Sequence, residues 1–238
     1  MSGHSKWSKI QRQKGAADTK KGALFTKLAN TITLAASEGG GEIDMNFKLK
    51  LAVDQARSAN MPKDNIERAI KRGTGEIAGG PIEELRYEGF GPEKVAIIID
   101  SLTDNRNRAL SEIKNVLNKN GGSIAGQNAV SWQFESKGVI RLPKPSFEKK
   151  EELELTAIDA GADDIGEDDD SFLVYTDPKQ LQKVKENLEQ ANQKIEYAEI
   201  EMIPKEKVKM KNPDKLEQLF SALDECADVN NYYTNADI

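Results

Sequence analysis

Residues 137–204 spell strand, helix, strand, strand, helix, strand, an order that points to the split ferredoxin-like arrangement. Val139–Leu142 is a short β-branched run, and a helical stretch follows from Phe147 to Asp159, ending near Gly161. Asp163–Ile165 and Ser171–Tyr175 form a hairpin. Asp177-Pro178 opens a second helix reaching about Ala191, and Ile195–Ile203 supplies the last strand.

The flanking sequence holds the same set of elements in two pieces. Gly79-Gly80-Pro81 marks a boundary, followed by strand-like Ile82–Glu88 and the turn Gly89-Phe90-Gly91-Pro92. Val95–Ile99 is almost wholly apolar, as a central strand should be. Asp104 is placed to cap a helix to about Lys119, stopped by Gly121-Gly122. Strands are expected at Ser123–Ala125 and at Val130–Phe134, where Val130, Trp132 and Phe134 alternate with polar neighbours. That set lacks a closing helix and strand. Both stand at the carboxy terminus: a helix with Asn212 as N-cap and Pro213 in its first turn, running to about Asp224, then Val229–Thr234. The sequence therefore predicts one α+β domain inserted into another.

Upstream the apolar period is helical. Leu24, Leu28, Ile32 and Ala35 mark a first helix beginning near Ala23, stopped by Gly39-Gly40-Gly41. A second begins near Met45 with Phe47, Leu49, Ala52, Val53 and Ala56. A third follows Met61-Pro62 with Ile66, Ala69 and Ile70, and Gly73 as its expected C-cap. The fold class is α+β: a helical bundle, then two ferredoxin-like α+β domains. The expected units are residues 1–76, residues 80–135 with 205–238, and residues 137–204.

The formal charge of −6 conceals a segregation. Residues 1–30 carry seven Lys/Arg against Asp18 alone, residues 31–76 balance, and the remainder holds −12. Such an acidic body repels phosphate and confines nucleic-acid contact to the basic end. Met1–Gly22 contains almost no apolar residue, so it is expected to be mobile until bound. It has the positive charge of a signal peptide without an apolar stretch behind it. No apolar run approaches the roughly 20 residues that cross a bilayer. With Cys226 as the single cysteine, the expectation is a cytoplasmic protein with no membrane partner, no internal disulfide and no cysteine metal cluster.

Several blocks then resemble the YebC-like (PmpR-type) family of transcriptional regulatory proteins. They are Gly3-His4-Ser5-Lys6-Trp7, Phe25-Thr26-Lys27-Leu28, Asn60-Met61-Pro62-Lys63-Asp64-Asn65-Ile66 and Ala69-Ile70-Lys71-Arg72-Gly73. Further blocks are Tyr87-Glu88-Gly89-Phe90-Gly91-Pro92, Thr103-Asp104-Asn105-Arg106-Asn107-Arg108 and Tyr233-Thr234-Asn235. The resemblance spans essentially the whole chain. It implies a helical domain with two α+β domains, and a cytoplasmic DNA-binding transcriptional regulator. Mitochondrial relatives are translational activators, and bacterial members have been linked to ribosomes stalled on proline-rich sequences, so the resemblance implies a ribosome- or rRNA-binding translation factor as the alternative.

The residues themselves point to a nucleic-acid contact through His4, Ser5, Lys6, Trp7, Lys9, Arg12, Lys14, Lys20, Lys21 and Lys27. Cations this dense serve no core, and an aromatic among them suits stacking on unpaired bases. The bland alternative is a solvated tail whose Trp7 folds back on the bundle. Lys63, Arg68, Lys71 and Arg72 extend the basic surface, although Lys71 and Arg72 in a last helical turn also answer the helix dipole. Arg106 and Arg108 occupy a first turn, where that dipole disfavours cations; an outside anion or local pairing with Asp104 or Glu112 would explain them. His4 is the only histidine and has neither metal-ligand nor catalytic companions in sequence. Asp163-Asp164 and Glu167-Asp168-Asp169-Asp170 lack calcium-loop spacing and read as a charged hairpin tip. No phosphate loop or dinucleotide fingerprint occurs. The chain is expected to be non-enzymatic, without cofactor or metal. The α+β domains should supply shape, partner contacts or a homo-oligomeric interface.

Overall fold

A computed structural model describes residues 18–146, 149–168 and 171–237. The helical part comprises α1 (Asp18–Gly39), α2 (Phe47–Ser58) and α3 (Lys63–Gly73). The first helix is already formed at Asp18, five residues before Ala23, because propagation costs little once a helix is nucleated. Leu28, Ile32, Leu49, Val53 and Ala56 are fully buried in one small core with Ile66 and Ala69. Asn46 joins the first two helices. Its Oδ1 accepts the Leu49 N–H at 3.1 Å, while its Nδ2 donates to the carbonyls of Ala35 (2.7 Å) and Gly40 (2.9 Å). Gly73 is the last residue of α3 and not its cap. A Cβ there would lie 2.4 Å from the Thr33 carbonyl oxygen and 2.7 Å from the Ala36 Cβ, so its smallness lets α3 close on α1.

The middle part is built from β1 (Glu83–Phe90), β2 (Ala96–Thr103), α4 (Arg106–Lys119) and β3 (Ser123–Ile124). The inserted part follows as β4 (Phe134–Pro143), α5 (Lys150–Ala160), β5 (Asp164–Glu167), β6 (Ser171–Thr176), α6 (Leu181–Gln190) and β7 (Tyr197–Pro204). The chain then returns through β8 (Val208–Lys209), α7 (Pro213–Glu225), β9 (Val229–Thr234) and β10 (Ala236–Asp237). Strand order is β5-β6-β4-β7 in one antiparallel sheet and β3-β1-β2-β9 in the other. The first is the ferredoxin-like order expected from its elements.

The second sheet reaches the same spatial order by another route. Val130–Phe134 is not a strand of it. Ser131–Gln133 makes a short 3₁₀ turn, Trp132 stands 67% exposed, and Phe134 already begins β4. The inner position is filled instead by β1, which precedes β2 and pairs with it from Glu83↔Thr103 to Phe90↔Ala96. Every residue of β2 is buried. One face meets α4 and α7 through Ile97, Ile99, Ile113, Leu117, Leu219 and Phe220. The other meets Val130, Phe134 and Tyr233. Burial on both faces is why this strand reads as a continuous apolar run.

Capping also differs in one place from the expectation. Asn105, not Asp104, caps α4, its Oδ1 accepting the Arg108 N–H at 3.0 Å. Asp104 is left to pair with Arg108 at 3.0 Å and Arg72 at 3.6 Å.

In the inserted domain, Ile140, Phe172, Val174, Val184 and Leu188 are buried between sheet and helices. The opposite face of that sheet carries a buried ion pair. Arg141 and Glu201 are 1% and 2% exposed, with Arg141 Nη2 at 3.1 and 3.2 Å from the two carboxylate oxygens. Burial pushes the Glu201 carboxyl up to about 7 against the lowering influence of Arg141. A carboxyl raised in the folded state stabilises the fold most below its unfolded value near 4.5 and loses that contribution as pH climbs to about 7. The stability of the parent relative to Glu201→Gln should therefore fall between pH 5 and pH 7.5, as read from urea midpoints. At Asn46, an alanine strips one cap and two further bonds, and should cost about 1–2 kcal/mol in the same measurement.

Candidate nucleic-acid interface

An open groove of about 450 Å³ runs between α1 and α3. Phe25, Thr26 and Asn30 line one wall, Asn65, Arg68 and Arg72 the other. Three of the sequence blocks quoted above, 25–28, 60–66 and 69–73, thus meet across one surface feature. The periodicity of α1 and α3 makes this happen. Leu24, Leu28 and Ile32 go to the core, which leaves Phe25, Thr26 and Ala29 for the next stripe of the helix.

The outer face of α3 is charged. Lys63, Asp64, Glu67, Arg68 and Lys71 are exposed, and Lys63 approaches Glu67 at 3.4 Å. Arg72 bridges instead to the middle domain, Nη2 donating to the Gly80 carbonyl at 3.1 Å. Of the four cations foreseen on this helix, Arg68 and Arg72 enter the groove, while Lys63 and Lys71 stand on the solvent side. Asn30 and Asn65 were not foreseen as site residues. Asn65 lies inside a quoted block, whereas nothing in the local pattern marked Asn30.

The foreseen residues of the amino-terminal set fall into three groups. His4, Ser5, Lys6, Trp7, Lys9, Arg12 and Lys14 lie outside the described residues. Lys20 and Lys21 belong to the first turn of α1. Lys27 is 5% exposed, and its ammonium donates to the carbonyls of Asp224 (2.6 Å) and Leu223 (3.4 Å) at the end of α7. A cation there answers the carbonyl end of a helix and joins the helical part to the middle domain.

Arg106 and Arg108 resolve to local pairing. Arg106 bonds to Glu83, and the Arg108 guanidinium takes both oxygens of Asp228 at 2.8 Å as well as Asp104. These carboxylates raise the Arg108 pKa. Asp228 is 4% exposed, so Arg108 neutralises a buried charge across the end of the β2–β9 pair. In the acidic hairpin, Glu167 pairs with Lys150 at 2.7 Å and Asp168 accepts the Ser171 N–H at 2.7 Å. Cys226 is partly buried, its thiol 3.4 Å from the Ala222 carbonyl and its pKa raised by burial. Among the described residues, no helix is long and apolar enough to cross a membrane.

Fold and groove together define a three-part α+β protein that carries a small helical module on two ferredoxin-like domains. Residues 5–76 match the TACO1/YebC protein N-terminal domain, and residues 82–236 match the TACO1/YebC second and third domain. The chain belongs to the TACO1/YebC family. It is 45% identical over 240 residues to a "Probable transcriptional regulatory protein" of Caldanaerobacter subterraneus subsp. tengcongensis, covering 100% of this chain and 99% of that one. A protein of the same description from Geobacter sulfurreducens is 48% identical over 241 residues, covering 100% and 96%. The crystal structure of a conserved hypothetical protein from Aquifex aeolicus superposes with a TM-score of 0.83 at 39% identity, covering 93% of this chain and 92% of that one.

Because Arg108 serves a buried carboxylate, Arg108→Ala should destabilise the protein by about 1–3 kcal/mol by leaving Asp228 without its cation. It should leave nucleic-acid affinity unchanged when variant and parent are compared by electrophoretic shift well below the unfolding transition.

Proposed function

We propose that this protein is a DNA-binding transcriptional regulator whose basic amino-terminal segment contacts phosphates and whose α1–α3 groove receives part of the same ligand. Residues 1–76 would form the reading unit. Residues 80–135 with 205–238, and residues 137–204, would present it and offer surfaces to partners. The observation that carries the proposal is the convergence of three family blocks on a groove containing Arg68 and Arg72, in the one part of the chain that is not acidic. The description of the curated relatives as probable transcriptional regulatory proteins agrees with it.

A second reading, a translation factor bound to ribosomal RNA, is favoured by one detail. Asp64 and Glu67 interrupt the exposed cations of α3. Two carboxylates on the exposed face of so short a helix suit it poorly to insertion into a duplex groove lined by phosphates.

Both readings are tested by offering labelled protein genomic duplex fragments and purified ribosomes together near physiological salt. Retention on a defined subset of fragments supports the transcriptional reading, and partition onto ribosomes supports the other. Changing Lys6, Lys9, Arg12 and Lys14 to Glu should abolish binding to either without unfolding the protein; normal binding by that variant refutes the basic segment. If roughly five cations engage phosphates, binding should weaken visibly with tens of millimolar added salt. Arg68→Glu with Lys71→Glu should flatten the log–log salt dependence on duplex DNA by roughly 2.

A further inference from the structure

The connection returning from the inserted domain carries Lys205, Lys207, Lys209 and Lys211 at every second position. All four are exposed, as is the Val208 between them. The backbone is strand only at Val208–Lys209, with bends at residues 205–206 and at 211, so the four cations follow one connection as a bent row.

The backbone of this row is pinned at three points. Lys205 N donates to the Gln133 carbonyl at 2.9 Å, and its ammonium to the Trp132 carbonyl at 2.9 Å. Val208 N donates to the Asn235 carbonyl at 2.7 Å, and β8 pairs in parallel with β10. At the far end the Glu93 carboxylate accepts the N–H groups of Lys211 (2.8 Å) and Asn212 (2.9 Å). Those bonds hold the Glu93 pKa down and turn its charge toward backbone. Lys94 and Lys215 add cations alongside Glu206 and Asp214. Residues 93–94 with 205–215 thus hold six lysines against three acids, within a part of the chain that totals −12.

Trp132 stands at the start of this row. Its indole is 67% exposed, and its Nε1–H is already given to the Ala129 carbonyl at 3.1 Å. What it offers outward is therefore the ring itself, without a polar group to read a particular base. An exposed aromatic surface leading into a line of cations is the composition of a stacking platform for unpaired strands.

We propose that Trp132 and the lysine row 205–211 form a second nucleic-acid site, which binds an unpaired strand with a base stacked on Trp132 and phosphates on Lys207, Lys209 and Lys211. The site uses neither the amino-terminal segment nor the α1–α3 groove, so its failure would leave the reading above untouched.

Because the chain has two tryptophans, Trp7→Phe makes Trp132 the sole indole. That full-length protein is titrated with a short oligouridylate, a short oligodeoxyuridylate and a mixed-sequence duplex. Quenching of Trp132 emission by single strands and not by duplex is expected, and the more effective strand identifies the sugar of the natural ligand. Affinity is read separately by anisotropy of labelled strands, in protein whose Lys6, Lys9, Arg12 and Lys14 are changed to Gln. There Lys207→Glu with Lys209→Glu should flatten the single-strand salt dependence by about 1.4. Trp132→Ala should weaken binding by about tenfold, and Trp132→Phe should restore most of it. Unchanged Trp132 emission with both single strands, or undiminished affinity in the lysine variant, overturns the site.

Discussion

Strand β2 is the axis of this molecule. It is buried on both faces, paired along its full length with β1 on one side and over Ile97–Ser101 with β9 on the other. A strand in that position cannot be satisfied by its neighbours in sequence alone. Its outer pairing edge waits for β9, delivered from residue 229 onward, after the whole inserted domain has been made. Its second face is closed by Val130 and Phe134, the residues from which that insertion departs. Unpaired backbone donors and acceptors in such a strand would cost several kilocalories, so the amino- and carboxy-terminal portions of the middle domain stand or fall together.

Between the three parts, contacts are of another kind. Within each part the buried residues are overwhelmingly apolar. Across the seams polar, directional bonds accompany apolar contacts such as Leu51 of α2 against the inserted domain's core and Met202 of β7 against the middle domain's. Lys27 reaches the end of α7, Asn30 donates to the Leu102 carbonyl at 3.3 Å, and Thr31 donates to Asn230 at 3.2 Å. Glu199 of β7 accepts Gln55 from α2 at 2.6 Å and Asn231 from β9 at 3.4 Å, tying all three parts at one carboxylate. Directional bonds fix orientation while contributing only modest net free energy each, in keeping with units that carry their own cores.

Charge organises the outer surface by a similar division. Cations that look functional in sequence prove to be of two sorts. Lys27 and Arg108 neutralise a helix end and a buried carboxylate, so their partners lie within the protein. Arg68 is exposed and faces an open groove. Composition cannot separate these classes, because a lysine in the sequence does not announce which carbonyl or carboxylate will reach it.

Much of this architecture was legible in the residues. Period and punctuation located the helices, because apolar stripes at helical spacing and glycine or proline stops act over a few residues. The insertion was legible too, since one ferredoxin-like set was complete and the other needed the terminal helix and strand. The sequence also carried the family blocks and the charge segregation. Tertiary structure alone decided the rest. It put β1, and not Val130–Phe134, beside β2, because strand pairing joins residues far apart in the chain and both candidates alternate acceptably. It used Gly73 for close helix contact and left Trp132 in solvent. It also gathered Phe25, Asn30, Asn65 and Arg68 around one groove. Local pattern fixes which face of an element is apolar, but what each face meets depends on packing between elements that share no sequence neighbourhood.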